Sequence, residues 1–186
     1  MRINRRNTTI FLLWMELLML PGCKCRSSSG SNISNIQVHL YPTDIPGSGS
    51  IYLSEYESKK GSITIGINAK EVEEINSVYF DLVYNPSVIN YSSSEEGDFF
   101  NSDGQITSNF IVELQNETEG RIYVGINRLN NSAVKGSGLI GKITFIPVAD
   151  DNTSITFENN KLYRYNSSSS ELSEVTAVWF GGTINR

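Results

Sequence analysis

The side chains that could do chemistry fall into a few short stretches. The single histidine, His39, sits in the run Ile36-Gln37-Val38-His39-Leu40-Tyr41. A nucleophilic unit would need it beside a hydroxyl or thiol and a carboxylate. Its place in an alternating run makes it a structural or exposed strand residue instead. Acidic residues gather at Glu95-Glu96-Gly97-Asp98 and at Asp103-Gly104. Two carboxylates about 5–10 Å apart suffice to hydrolyse a glycoside, so the residues alone leave that chemistry open beside the plainer reading of a charged loop. Asp150-Asp151-Asn152-Thr153 offers the hard oxygens that calcium takes, but without the spaced ligands of an EF-hand loop. A turn is the simpler expectation there. Gly136-Ser137-Gly138 is too short for a nucleophile elbow, and no phosphate loop, zincin helix or dinucleotide fingerprint occurs. No cofactor and no metal are expected. No complete catalytic motif is present, and the expectation is a protein that is not an enzyme.

The elements that must position any site are strands. In Val78-Tyr79-Phe80-Asp81-Leu82-Val83-Tyr84, apolar residues alternate with a second set, which gives a strand with two distinct faces. Asn85-Pro86 ends it, because proline donates nothing to a ladder. Similar runs place strands at 36–41, 61–68, 77–84, 88–93, 110–114, 121–127, 138–148, 154–157 and 176–183, with shorter candidates at 51–53 and 163–165. Short runs separated by turn signals indicate an all-β, two-sheet sandwich. Residues 42–60 look like a long connection, and 70–76 could hold one helical turn at most. Ser167–Ser170 is a solvated loop. No internal repeat suggests a propeller or solenoid.

Length and charge bound the rest. The 186 residues suit one domain plus a leader. A net charge of −5 argues against nucleic acid, which calls for a basic patch. Residues 1–22 have the layout of a secretory leader: Met1-Arg2-Ile3-Asn4-Arg5-Arg6, a mostly apolar run, then Leu20-Pro21-Gly22-Cys23. The apolar run is short for a membrane span, which needs about 20 residues. The junction resembles a bacterial lipobox, with Cys23 as the lipidated N-terminus, although Pro21 and Glu16 depart from that pattern. Residues 23–35 are rich in Ser, Gly and Asn and form a tether. Both cysteines, Cys23 and Cys25, precede the domain at 36–185, so no disulfide is expected in its core.

The 78–91 segment and the later Gly136-Ser137-Gly138-Leu139-Ile140-Gly141-Lys142-Ile143-Thr144-Phe145 together resemble the cohesin family in order and spacing. The resemblance covers roughly residues 35–185. It implies a nine-stranded sandwich of jelly-roll-like topology. It also implies a non-catalytic, cell-surface module that captures a dockerin-bearing protein, in the setting of polysaccharide breakdown. The family docks its partner on one sheet face. Alternation then nominates the outward residues Ser77, Tyr79, Asp81 and Val83, with Arg121, Tyr123, Gly125 and Asn127 on a neighbouring strand. The alternative is a carbohydrate-binding module on a related sandwich, with polysaccharide as partner. It needs exposed coplanar aromatics. Trp179 could serve, but a terminal-strand Trp more often packs on the core.

Overall fold

The computed structural model describes residues 35–104, 108–116, 118–129 and 132–186. The expected leader, Cys23 and the expected tether up to residue 34 lie outside the described residues. The strands in chain order are β1 (His39–Pro42), β2 (Ser50–Lys59), β3 (Ser62–Ile75), β4 (Ser77–Val83), β5 (Ile89–Glu96) and β6 (Ser108–Asn116). They continue with β7 (Arg121–Arg128), β8 (Val134–Pro147), β9 (Thr153–Asn166), β10 (Glu171–Val175), β11 (Val178–Phe180) and β12 (Gly182–Asn185). One sheet runs β1-β12-β9-β4-β7-β6, with β10 paired to β9 alone; the other runs β11-β2-β3-β8-β5. All pairs are antiparallel except β11 with β2. The expected all-β sandwich is observed, with twelve strands among the described residues rather than nine.

Period-2 alternation builds the core. Ile63, Ile65 and Ile67 of β3 meet Val78, Phe80 and Leu82 of β4 and Ile122, Val124 and Ile126 of β7 in one buried cluster. Each is at most 1% exposed. Phe80, Phe157 and Trp179 form an aromatic triad, with ring centroids 5.2, 5.7 and 5.1 Å apart. Trp179 therefore packs on the core, and the aromatic strip required for sugar binding loses its main candidate.

Three expectations need correction. Residues 42–60 are not mainly a loop, because ten of them form β2, with Ile51 and Leu53 fully buried. A register shift between Glu55 and Glu57, within a charged stretch, hid the alternation. Residues 70–76 hold no helical turn, because β3 continues through Ile75. Register shifts on either side of Val72 space the inward residues Val72 and Ile75 three apart, which imitates helical spacing. The run 176–183 divides at Gly181 into β11 and β12, which lie in different sheets. A Cβ on Gly181 would stand 2.3 Å from the Ile155 carbonyl oxygen, so the crossing strand approaches β9 as only glycine allows.

Candidate protein-docking face

The β4–β7 register gathers all the nominated residues on one outer face. Ser77 lies opposite Asn127, Tyr79 opposite Gly125, Asp81 opposite Tyr123 and Val83 opposite Arg121. Tyr79, Val83, Arg121, Tyr123 and Asn127 are half-buried, whereas Ser77 and Asp81 are only 4% and 8% exposed. Neighbouring side chains cover Asp81. Arg121 Nη1 donates to Asp81 Oδ2 at 2.7 Å, and Arg121 Nη2 donates to Glu158 Oε2 at 2.6 Å. Asn159 Nδ2 donates to the same Asp81 oxygen at 2.7 Å. Its reach follows from a bulge: between Tyr79 and Asp81 of β4, strand β9 runs from Lys161 to Glu158 and holds one extra residue. Asn159 sits there at φ 50°, a conformation that Asn tolerates better than most residues. The hydrogen bond to Glu158, then that to Asp81, raises the Arg121 pKa.

Beside this charged cluster lies an aromatic patch. A Cβ on Gly125 would come within 2.9 Å of the Tyr123 hydroxyl and 3.2 Å of the Tyr79 ring. Both rings therefore lean over a bare stretch of backbone. Desolvation, then the Tyr79 phenol, raises the Tyr123 pKa. Tyr79 also meets Tyr163 of β9 edge-on, with centroids 6.1 Å apart. Ile111 of β6, opposite Gly125, extends the patch and is 39% exposed. The sequence nominated none of Ile111, Glu158, Asn159, Lys161 or Tyr163. The β9 bulge breaks the alternation that would have marked the last four.

The other chemical candidates are occupied structurally. His39 Nδ1 lies 3.1 Å from both Glu55 carboxylate oxygens, and Leu40 N donates to Glu55 Oε2 at 2.9 Å, joining β1 to β2. Glu95 pairs with Lys142, Glu96 accepts from Asn101 and Ser108, and Asp103 pairs with Arg128. Asp150 pairs with Arg186, and Asp151 accepts the N–H of the adjacent Asn152. Among the described residues, no group of three or more His, Cys, Asp or Glu side chains converges as for a metal. A cleft of about 550 Å³ is lined by Tyr84, Pro86, Ser87, Asn90, Tyr91, Leu114 and Thr118. None of these is an Asp, Glu, His, Lys or Arg residue.

Comparison with solved structures gives the same fold in distant sequences. A non-cellulosomal cohesin from the archaeon Archaeoglobus fulgidus is 17% identical, with a TM-score of 0.50 over 79% of this chain and 89% of that one. The seventh ScaB type I cohesin of Pseudobacteroides cellulosolvens is 17% identical, with a TM-score of 0.54 over 78% and 89%. The sixth scaffoldin B cohesin of Acetivibrio cellulolyticus, solved in complex with a mutant Cel5 dockerin, is 14% identical, with a TM-score of 0.52 over 81% and 99%. No curated protein sequence matches. The cohesin-domain family model matches residues 50–185, from the start of β2 to the last strand. That span takes in the motifs around Val78–Tyr84 and Gly136–Phe145 and the strands that carry the outer face, and the chain belongs to the cohesin domain family.

Proposed function

We propose that this protein is a non-catalytic module that binds a dockerin through the outer face of β4 and β7 and their neighbours. The supporting observation is the register: Tyr79, Asp81, Val83, Arg121, Tyr123 and Asn127 share one face of adjacent strands, beside Ser77. This face has the composition of a protein interface: tyrosines at its centre and the Asp81–Arg121–Glu158 ionic cluster beside them. Family membership supports the choice of partner, since the scaffoldin B cohesin was solved with a dockerin.

The test is a Tyr79→Ala, Asp81→Ala double variant, titrated calorimetrically with recombinant dockerins from the same organism. It is expected to fold and to bind at least about tenfold more weakly, because a central interface tyrosine contributes ~2 kcal/mol or more on truncation. Asp81 is covered by its neighbours and acts by holding Arg121 in place on this face. Unchanged affinity removes this face from the binding site.

We place the module outside the cell, with residues 1–22 as the leader, Cys23 as the lipid attachment point and residues 23–35 as the tether to the domain at 36–185. The basic start, apolar run and Leu20-Pro21-Gly22-Cys23 support this reading. Cys23→Ala should release the protein from the membrane fraction or block its processing. A mature protein that retains residues 1–22 and a free Cys23 thiol would exclude lipidation.

A further inference from the structure

The docking face does not stop at the edge of the sandwich. We propose that the β9–β10 ribbon is an apolar docking arm that the dockerin covers on binding, a proposal that rests on the dockerin reading above.

The ribbon consists of residues 162–166 of β9 and all of β10, which pairs with no other strand. Its register places Leu172 opposite Tyr165, Glu174 opposite Tyr163 and Val175 opposite Leu162. Leu162 and Val175 turn inward and are 1% and 9% exposed. Alternation therefore turns Tyr163, Tyr165, Leu172 and Glu174 to the outer face, the same side as Tyr79. Leu172 is 62% exposed, so folding leaves most of its side chain in water.

The arm is held firmly at its root. Asn76, itself buried, accepts the Tyr165 N–H on its side-chain oxygen at 2.5 Å. Its own N–H donates to the Tyr163 carbonyl at 2.7 Å, and its Nδ2 donates to the Ser132 carbonyl at 2.7 Å. A tethered apolar surface loses less freedom on binding than a loose one.

Continuity with the docking face identifies the occupant. From Leu172 and Tyr165, the apolar surface passes to Tyr163, then to Tyr79 at 6.1 Å, then over Gly125 to Tyr123 and on to Ile111. This band crosses five adjacent strands, β10, β9, β4, β7 and β6, a distance of about 19 Å at ~4.8 Å per strand. The Asp81–Arg121–Glu158 cluster flanks it on one side. The Lys161–Glu174 ion pair stands in this band beside Tyr163, so the fitting partner surface is an apolar stripe that meets this ion pair on its way and a charged cluster at its flank. Contact through Leu172 and Tyr165 carries no charge for salt to screen, whereas the flanking charges are screened. The arm therefore selects dockerins by shape and hydrophobicity, and the cluster selects them by charge.

The experiment compares the full chain with Leu172→Ser, Tyr165→Ala and with Arg121→Ala, each titrated with recombinant dockerins from the same organism at low and high salt. The expected result is at least about tenfold weaker binding for the arm variant, to the same degree at both salts. The loss in Arg121→Ala should shrink as salt rises. Leu172→Met should restore affinity. Hydrogen exchange on the unmodified chain should show residues 171–174 becoming protected when dockerin binds, a readout independent of whether the arm variant folds. Wild-type binding that the arm variant retains, or unchanged exchange at 171–174, overturns the arm and leaves the docking face standing. Failure of the wild type to bind any of these dockerins overturns both.

Discussion

Replacing Phe80 by alanine tests whether the two faces of β4 have been assigned correctly. The side chain is 1% exposed and makes edge or tilted contacts with Phe157 at 5.2 Å and Trp179 at 5.7 Å. Removing a buried phenylalanine costs ~3–5 kcal/mol in transfer and cavity terms. Aromatic pairs contribute ~0.5–1.5 kcal/mol beyond burial, and two such pairs place the expected loss near the top of that range, about 4–5 kcal/mol. At roughly 2–4 °C per kcal/mol for a domain of this size, the melting temperature should fall by about 8–20 °C. Tyr79 is the next residue along and lies on the opposite face. Its ring is half-buried, and Tyr79→Ala should cost only about 1 kcal/mol. Urea and thermal unfolding, followed by circular dichroism, measure both losses. Trp179 fluorescence adds a local readout, because its ring loses one of two aromatic neighbours in Phe80→Ala and none in Tyr79→Ala. Equal destabilisation by the two substitutions would refute the assigned faces, and with them the outer surface on which the binding proposal stands.

Other perturbations test separate parts of the argument. Gly181→Ala should cost about 2–3 kcal/mol in thermal unfolding, because the new Cβ would meet the Ile155 carbonyl oxygen at 2.3 Å. Gly182→Ala first meets the tip of the Leu40 side chain, at 2.8 Å, and should cost less. Arg128, whose side chain is 0% exposed, pairs with Asp103 at 2.5 Å, while its Nε and Nη1 find no hydrogen-bond partner among the described residues. Asp103→Ala should therefore cost about 3 kcal/mol, and Arg128→Met should be neutral or stabilising by chemical denaturation. Tyr123 should ionise above the ordinary tyrosine range in an alkaline ultraviolet titration, and Tyr123→Phe should remove that late step. The folded state holds this proton more tightly than the unfolded chain, so the contribution to stability is complete below the ordinary tyrosine pKa. It is lost as pH rises through the raised value.

Alternation in Val78–Tyr84 and in 121–127 was enough to assign the class of fold and the faces of the two central strands. A strand with a period of two can bury only one of its faces, so the inward set, Phe80, Leu82, Ile122, Val124 and Ile126, implies the outward set. The same reasoning kept His39 and the acidic stretches in structural roles, and His39 is held by Glu55 in the structure. Periodicity failed wherever the backbone was irregular. Register shifts concealed β2 and the end of β3, and the bulge at Asn159 hid the part of β9 that joins the proposed docking surface. Pairing across the sheets was beyond local pattern altogether. Arg121 and Asp81 are forty residues apart, and only strand registry brings them to 2.7 Å beside Glu158. The division of 176–183 between two sheets was equally invisible, since it depends on how closely Gly181 approaches Ile155. Side-chain chemistry decides which face of a strand avoids water. Which strands become neighbours, and so which residues form one surface, depends on long-range pairing of the backbone.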